Sequence, residues 1–407
     1  MTSAAPEPPP KTPPSWQHCG QDATSADPVG CRGIHVPGHT ACLAHLADTD
    51  RDSYLNDLSP GADIDHRGTP FTEDLLHRLL TALHDPTTSQ AHIGTARFDW
   101  ATFTGNARFD EVTFTSDARF DWATFTGDAW FRRATFTSDA RFNGATFISN
   151  ARFDRARFET TSRLGPLVCG EKVVLDGAVF DQPVTVEMAA REVSCARTRW
   201  ASTATLHLRY AEVDLRDAVL EYPVLVAARP DPFPSLYSRD PLSEAELSGR
   251  EPGVRLMSVG GVDAAHLALH TIDLSMCRFA GAIHLDQLRV DGWCTFATTP
   301  TDQGRRFPWR WSRRNTVSEE HHWRVRTARR PARGHGWTTP PRDAPELPPA
   351  AVAPTRTPST SHQLRWHTPH NPCSVFGVKA LTQVVTLSVG RKRPSPRRGS
   401  QTREPDQ

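Results

Sequence analysis

ARFDWATFTGNARFDEVTFTSDARFDWATFTGDAWF, residues 96–131, repeats itself with a period of eleven. Phenylalanine falls at 98, 103, 109, 114, 120, 125 and 131, at alternating steps of five and six, and the beat runs on through Phe136, Phe142, Phe147, Phe153 and Phe158. A period of eleven also suits a right-handed helical coiled coil. Composition excludes that reading, because each unit is rich in Thr, Gly, Ser, Asn and Asp and lacks the Leu, Glu and Lys that long helices need. Two apolar residues per eleven also make too thin a seam, so a solenoid of short extended segments and turns explains more.

Two positions before each of these twelve phenylalanines stands a small residue, alanine in eleven cases and Val112 in the other. Side chains at i and i−2 of an extended chain point to the same side. A large residue filling an axis with a small one tucked beside it makes a narrow coil, with Arg, Thr, Asp and Trp facing outward. These A-x-F-x-x units resemble those of bacterial pentapeptide repeat proteins, whose consensus is A-[DN]-[LF]-x-x. The resemblance implies an all-β fold, a right-handed quadrilateral β-helix with the phenylalanines as repeat core. This sequence departs from the consensus before Phe, where Arg or Thr, and once Trp130, replaces Asp or Asn. That change concerns the surface.

Every second unit carries a sixth residue (Asn106, Asp117, Asp128, Asp139, Asn150) after Gly or Ser, which reads as a widened corner. A four-sided coil then takes 22 residues, and residues 22 apart stack as in a strand ladder. The register predicts Trp100 beside Trp122, and Arg108, Trp130 and Arg152 in one column with cation–π contacts. Asp110, Arg132 and Asp154 alternate in sign, as favourable cross-strand pairs should. Arg97, Arg119 and Arg141 repeat in sign, with Asp99 and Asp121 to screen them.

Outward from the repeat, residues 1–15 are Pro-rich and read as disordered. Residues 16–90 read as a capping module with helices. One helical stripe is expected over 43–58, and a stronger one over 69–86 with Thr72 as N-cap and Pro86 as the stop. Residues 91–160 are the regular β-helix. Residues 161–297 read as degenerate β-helical repeats, with apolar residues still at five-residue steps, such as Leu215 and Leu220, and Leu269, Leu274 and Phe279. They are interrupted by an excursion loop, 227–253, rich in Pro, Ser and acid. Residues 298–407 read as a basic, Pro/Arg-rich disordered tail, whose composition also fits out-of-frame translation of a GC-rich gene.

Charge follows the same division. Residues 1–300 hold 27 basic against 39 acidic side chains, whereas 301–407 hold 20 against 7. The N-terminus has no apolar core of a signal peptide and no run suits a bilayer span, so a cytoplasmic protein is expected. The scattered cysteines fit reduced thiols.

The best constellation for chemistry lies in WQHCG, GCRG and HTACLAH. Cys19, Cys31, Cys42 and His45 are candidate ligands for one structural zinc ion, with His35 and His39 as substitutes for His45. Three buried thiols with unrelated histidines is the bland account, since gaps of 11 and 10 residues between the cysteines are no established spacing. His367, His370 and Cys373, and Glu319, Glu320, His321 and His322, have ligand-like spacing but sit in the cationic tail, where chance and a solvated charged run are the better accounts. The basic, Trp-bearing segment 304–330 is a candidate surface for nucleic acid or an anionic membrane. No nucleophile elbow, phosphate loop, zincin motif or dinucleotide fingerprint occurs, and repeated surface roles supply no asymmetric catalytic cluster. The chain is therefore expected to be no enzyme.

The function expected is a non-catalytic scaffold that binds an unidentified protein along its flat faces. The resemblance implies a second reading, a DNA mimic that modulates a type II topoisomerase. Nine acids balanced by nine bases over 91–160 count against that reading, and against nucleic acid as a partner of the repeat. It implies a third as well, the soluble part of a membrane-associated repeat protein whose C-terminal helices are missing from this frame.

Overall fold

A computed structural model describes residues 13–237 and 239–296. The described residues form a β-solenoid of about nine turns with two α-helices. Over the repeat each turn has four sides, and each side carries a strand of two or three residues. Ala96–Arg97, Thr102–Thr104, Ala107–Arg108 and Thr113–Phe114 make one such turn. Strands pair in parallel with those 22 residues on: Ala96 with Ala118, Phe103 with Phe125, Ala107 with Ala129, Phe114 with Phe136.

Parallel stacking at this spacing turns the phenylalanines into four ring ladders along the axis. Phe98, Phe120 and Phe142 stack at 5.2 and 5.0 Å. Phe71, Phe103, Phe125 and Phe147 follow at 5.2, 4.7 and 4.6 Å. A third ladder holds Phe109, Phe131 and Phe153, both steps 5.0 Å. The fourth runs from Phe114 through Phe136, Phe158 and Phe180 to Trp200. Rings of neighbouring ladders meet edge to face or tilted, Phe120 and Phe131 at 82° and Phe120 and Phe125 at 43°. Stacked and edge-to-face geometries both suit the aromatic quadrupole. All twelve phenylalanines from 98 to 158 are at most 1% exposed.

Left-handed backbone recurs on the fifth residue of alternate units, at Trp100, Glu111, Trp122, Arg133, Gly144 and Arg155, and among the expected wide corners it occurs only at Gly105. The sixth residues instead bond from turn to turn. Asn106 Oδ1 accepts from Asp128 N at 3.3 Å, and Asp128 Oδ1 accepts from Asn150 N at 3.1 Å and Nδ2 at 2.9 Å.

Beyond Phe158 the solenoid continues but its turn shortens. The strand Arg163–Val174 runs along two sides at once, pairing with Thr146–Phe147 and with Ala151–Arg152. Its register against Val184–Ser194 slips twice, at Leu164/Leu167 and at Cys169/Lys172, so partners 22 apart become partners 20 apart. Phe180 then pairs with Trp200, and Val184 with Ala204. Strand pairing reaches Arg289–Asp291. Leu215, Leu220, Leu269 and Leu274 are buried, and Phe279 packs against the same core.

At the other end, parallel pairing starts at Ile64, opposite Ala96. Helix α1 is Asp48–Asn56, shorter than the expected 43–58, because Leu43 and Leu46 enter the core from the turn before it. Helix α2 is Glu73–Ala82, and Thr72 Oγ1 accepts from Leu75 N at 3.2 Å. Thr72 is the N-cap as expected, and only the C-terminal end is corrected. Pro70–Thr72 is a strand carrying Phe71, and His84–Asp85 pairs antiparallel with Gln90–Ala91 before Pro86 is reached. Leu75, Leu76 and Leu79 bury one face of α2 in the cluster that contains the phenylalanine ladders. A solenoid needs such a cover on its end.

Candidate metal centre and lateral surface

The N-terminal segment folds as a hairpin on the first turn of the solenoid. Gly20 N donates to Cys31 O, Cys31 N to Gln21 O and Ile34 N to Arg67 O, each at 2.8 Å. Gly33 has no room for a side chain, since a Cβ there would lie 2.7 Å from Cys42 Sγ. This packing brings together four side chains spread over 27 residues of sequence. The ligand atoms of Cys19, Cys31, Cys42 and His45 all lie within 4.8 Å of one another. Cys31 Sγ is 3.7 Å from Cys42 Sγ, and His45 Nδ1 is 3.4 Å from both Cys19 Sγ and Cys42 Sγ.

The electrostatics favour thiolate at one member. The hydrogen bond shared with Cys42 and the Gly33 amide outweigh burial and pull the Cys31 thiol down to about 5. Its partner Cys42 is raised, first by that same hydrogen bond and then by burial. The far nitrogen of His45, Nε2, lies 3.6 Å from Asp22 Oδ2. A carboxylate there orients the ring for coordination through Nδ1. The proposed substitutes are elsewhere: His35 Nε2 bonds His18 O at 2.9 Å, and His39 Nδ1 faces Asp50 at 3.8 Å. Asp22 and Gly33 were not singled out from sequence, where only the Cys-Gly and Gly-Cys neighbours mark the turns. His367, His370, Cys373, Glu319, Glu320, His321, His322 and the segment 304–330 lie outside the described residues.

Along the sides of the repeat the outward residues form columns. Trp100 and Trp122 stack at 5.1 Å with planes 9° apart. Two guanidinia lie over the Trp130 ring, Arg108 at 4.4 Å and Arg132 at 4.8 Å. The register stacks Arg108, Trp130 and Arg152 as expected, and only the cation–π contact of Arg152 is corrected, because its guanidinium turns to its own Asp154 at 3.0 Å. Arg132 also reaches Asp110 at 2.8 Å. The like-signed Arg97, Arg119 and Arg141 are spread apart by Asp65, Asp99 and Asp121, each guanidinium reaching an acid of the preceding turn. Burial raises Asp99 above the usual carboxylate range even with Arg119 beside it.

The excursion is not a free loop. Phe233, Leu242 and Leu247 bury themselves against Val168 and Ala189, with Trp122 and Tyr210 at the margin. Tyr237 Oη donates to Asp121 Oδ2 at 2.8 Å, and Arg209 forms a buried ion pair with Glu244. Pairing across it jumps by 43 residues, Glu212 with Arg255 and Val224 with Leu267, before the turn resumes. Among the described residues no helix is long and apolar enough to cross a membrane.

Residues 120–165 match the family model described as pentapeptide repeats in nine copies. No curated protein and no solved structure matches the chain.

Proposed function

The chain carries pentapeptide repeats, and on that premise we propose that it is a non-catalytic scaffold whose lateral surface binds another protein. One observation carries the reading. Eight of the nine arginines in 91–160 have a carboxylate at 2.7–3.6 Å, so the basic charge of the surface is almost wholly neutralised. What is left to a partner is a neutral wall of stacked Trp and Arg with regular spacing. Trp and Arg are the side chains protein interfaces favour, and exposed ion pairs add little to stability that a partner would have to disrupt. A DNA mimic needs the opposite, a surface whose acids stand unpaired.

The test is affinity capture with the full chain beside a Trp100→Ala/Trp122→Ala variant. A protein retained by the parent and lost from the variant supports the reading. Capture of the same proteins by both chains overturns it. Inhibition of gyrase supercoiling by micromolar chain would replace it with topoisomerase modulation.

A further inference from the structure

We propose that Cys19, Cys31, Cys42 and His45 bind one zinc ion, and that this ion staples the N-terminal hairpin onto the first turn of the solenoid. The proposal goes beyond the scaffold reading and does not depend on it.

Zinc in a tetrahedral site sits about 2.3 Å from sulfur and about 2.0 Å from imidazole nitrogen. Those bond lengths put neighbouring sulfurs about 3.8 Å apart, and sulfur and nitrogen about 3.5 Å apart. The spacings here are 3.7 Å for Cys31 and Cys42, and 3.4 Å for His45 Nδ1 against Cys19 and Cys42. Three thiols and an imidazole are soft donors that select zinc over the hard oxygen-seeking cations. Four protein donors close the coordination shell, which is the pattern of a structural site and leaves no position for substrate.

Three surrounding features suit the ion. The Gly33 amide points at Cys31 Sγ from 3.4 Å and stabilises negative charge on sulfur. Gly33 leaves free the volume beside Cys42 that a side chain would fill. Asp22 stands behind the His45 ring. Without an ion, the same four groups crowd three sulfurs and a ring nitrogen into one cage.

The site is placed where a staple matters. The hairpin rests on the corner that starts the solenoid: Ile34 N bonds Arg67 O, Trp16 Nε1 bonds Arg32 O at 2.9 Å, and Arg67 lies over the Trp16 ring at 4.9 Å. His66 and Phe71 on that corner are the first rings of two ladders. Loss of the ion loosens 16–47, then the first turn, and leaves the end of the ladder open to water. An open strand end of this kind invites end-to-end association.

The experiment uses the full chain, purified under reducing conditions without added metal. Elemental analysis is expected to give about one zinc per chain, and less than about a tenth overturns the proposal. Cobalt substitution should give the intense visible bands of a tetrahedral thiolate site; the weak spectrum of six-coordinate cobalt overturns it. Cys42→Ser should lose the metal while Cys277→Ser keeps it, and equal zinc in both overturns the assignment. The parent's metal content and cobalt spectrum decide the question even if Cys42→Ser does not fold. A Cys31–Cys42 disulfide in metal-free chain, seen by non-reducing peptide mapping, also overturns it. For the staple, chelation should raise hydrogen exchange across 16–72 and spare 118–158. Unchanged exchange over 16–72 overturns that part.

Discussion

Arg209 and Glu244, 35 residues apart in the chain, meet in a nearly dry ion pair, Nε to Oε1 2.6 Å, with side chains 3% and 9% exposed. A second bond runs from Nη2 to Oε2 at 2.9 Å, and Tyr210 Oη donates to the same oxygen at 2.8 Å. Nη1 donates to the backbone oxygens of Arg229 and Pro230, where the excursion leaves the coil. One guanidinium thus fixes both the exit of the loop and its return contact.

Removing one partner of a buried pair strands the other charge, which costs about 3–5 kcal/mol. Arg209→Ala is therefore expected to lower stability by that order and to free the excursion. Chemical denaturation measures the first, and faster hydrogen exchange over 229–253 measures the second. Replacing both partners, Arg209→Met with Glu244→Leu, should recover most of the loss. A double variant no better than the single one would contradict this account.

His66 makes the solenoid's first turn sensitive to acid. The ring is 1% exposed, its Nε2 lies 3.3 Å from Tyr54 Oη, and burial pulls its pKa down to about 4 against the slight upward pull of Asp65. The unfolded chain, with histidine near 6.5, binds the proton more readily, so stability is full above about 6.5 and is lost as pH falls toward 4. A gap of about 2.5 pH units corresponds to about 3 kcal/mol. His66→Phe would extend the Phe98 ladder by one ring. The variant's stability, followed by urea denaturation, should be flatter than the parent's between pH 4 and 6.5.

Phe125 lies between Phe103 at 4.7 Å and Phe147 at 4.6 Å, fully buried. A rigid stack cannot collapse into the space a lost ring leaves, so Phe125→Ala should cost about 3–5 kcal/mol. Phe125→Leu should cost less, because it keeps most of the volume. Thermal unfolding of the three chains orders them.

Gly144 tops the tryptophan column. Its φ is +70°, and a Cβ there would lie 2.7–2.9 Å from the Trp122 ring. Gly144→Ala meets both penalties, the left-handed backbone at about 1–2 kcal/mol and the clash in addition. Trp122→Ala in the same chain relieves only the clash. A double-mutant cycle should therefore show coupling between the two sites, and strict additivity would remove the contact from the explanation.

The legible part of this fold is the part that repeats. Phe at five and six, with Ala two before it, specifies a narrow coil whatever else the chain does, because only inward large–small pairs close the axis at that spacing. The sequence around His66 was less legible. DIDHRGTPFT, 63–72, matches TARFDWATFT, 95–104, position by position with His66 for Phe98 and Phe71 for Phe103, and the structure pairs Ile64 with Ala96 and Phe71 with Phe103. Helix α2 sits between the two copies and breaks the period by ten residues, from 22 to 32, so the rhythm alone does not find it.

Cys19, Cys31, Cys42 and His45 are visible as residue types, but their convergence depends on the turn at Gly20, on the close approach of Gly33 to Cys42 and on the solenoid corner beneath them. The choice of Arg132 over Arg152 for Trp130, and of Glu244 for Arg209, is likewise unwritten in any local pattern. Both are decided by which long side chain reaches across the stack. Sequence by itself determined the axis, since burial of a periodic apolar stripe depends on spacing alone. Tertiary structure decided the corners, the partners of the outward charges and the metal cage, because those contacts join residues whose separation in the chain carries no period.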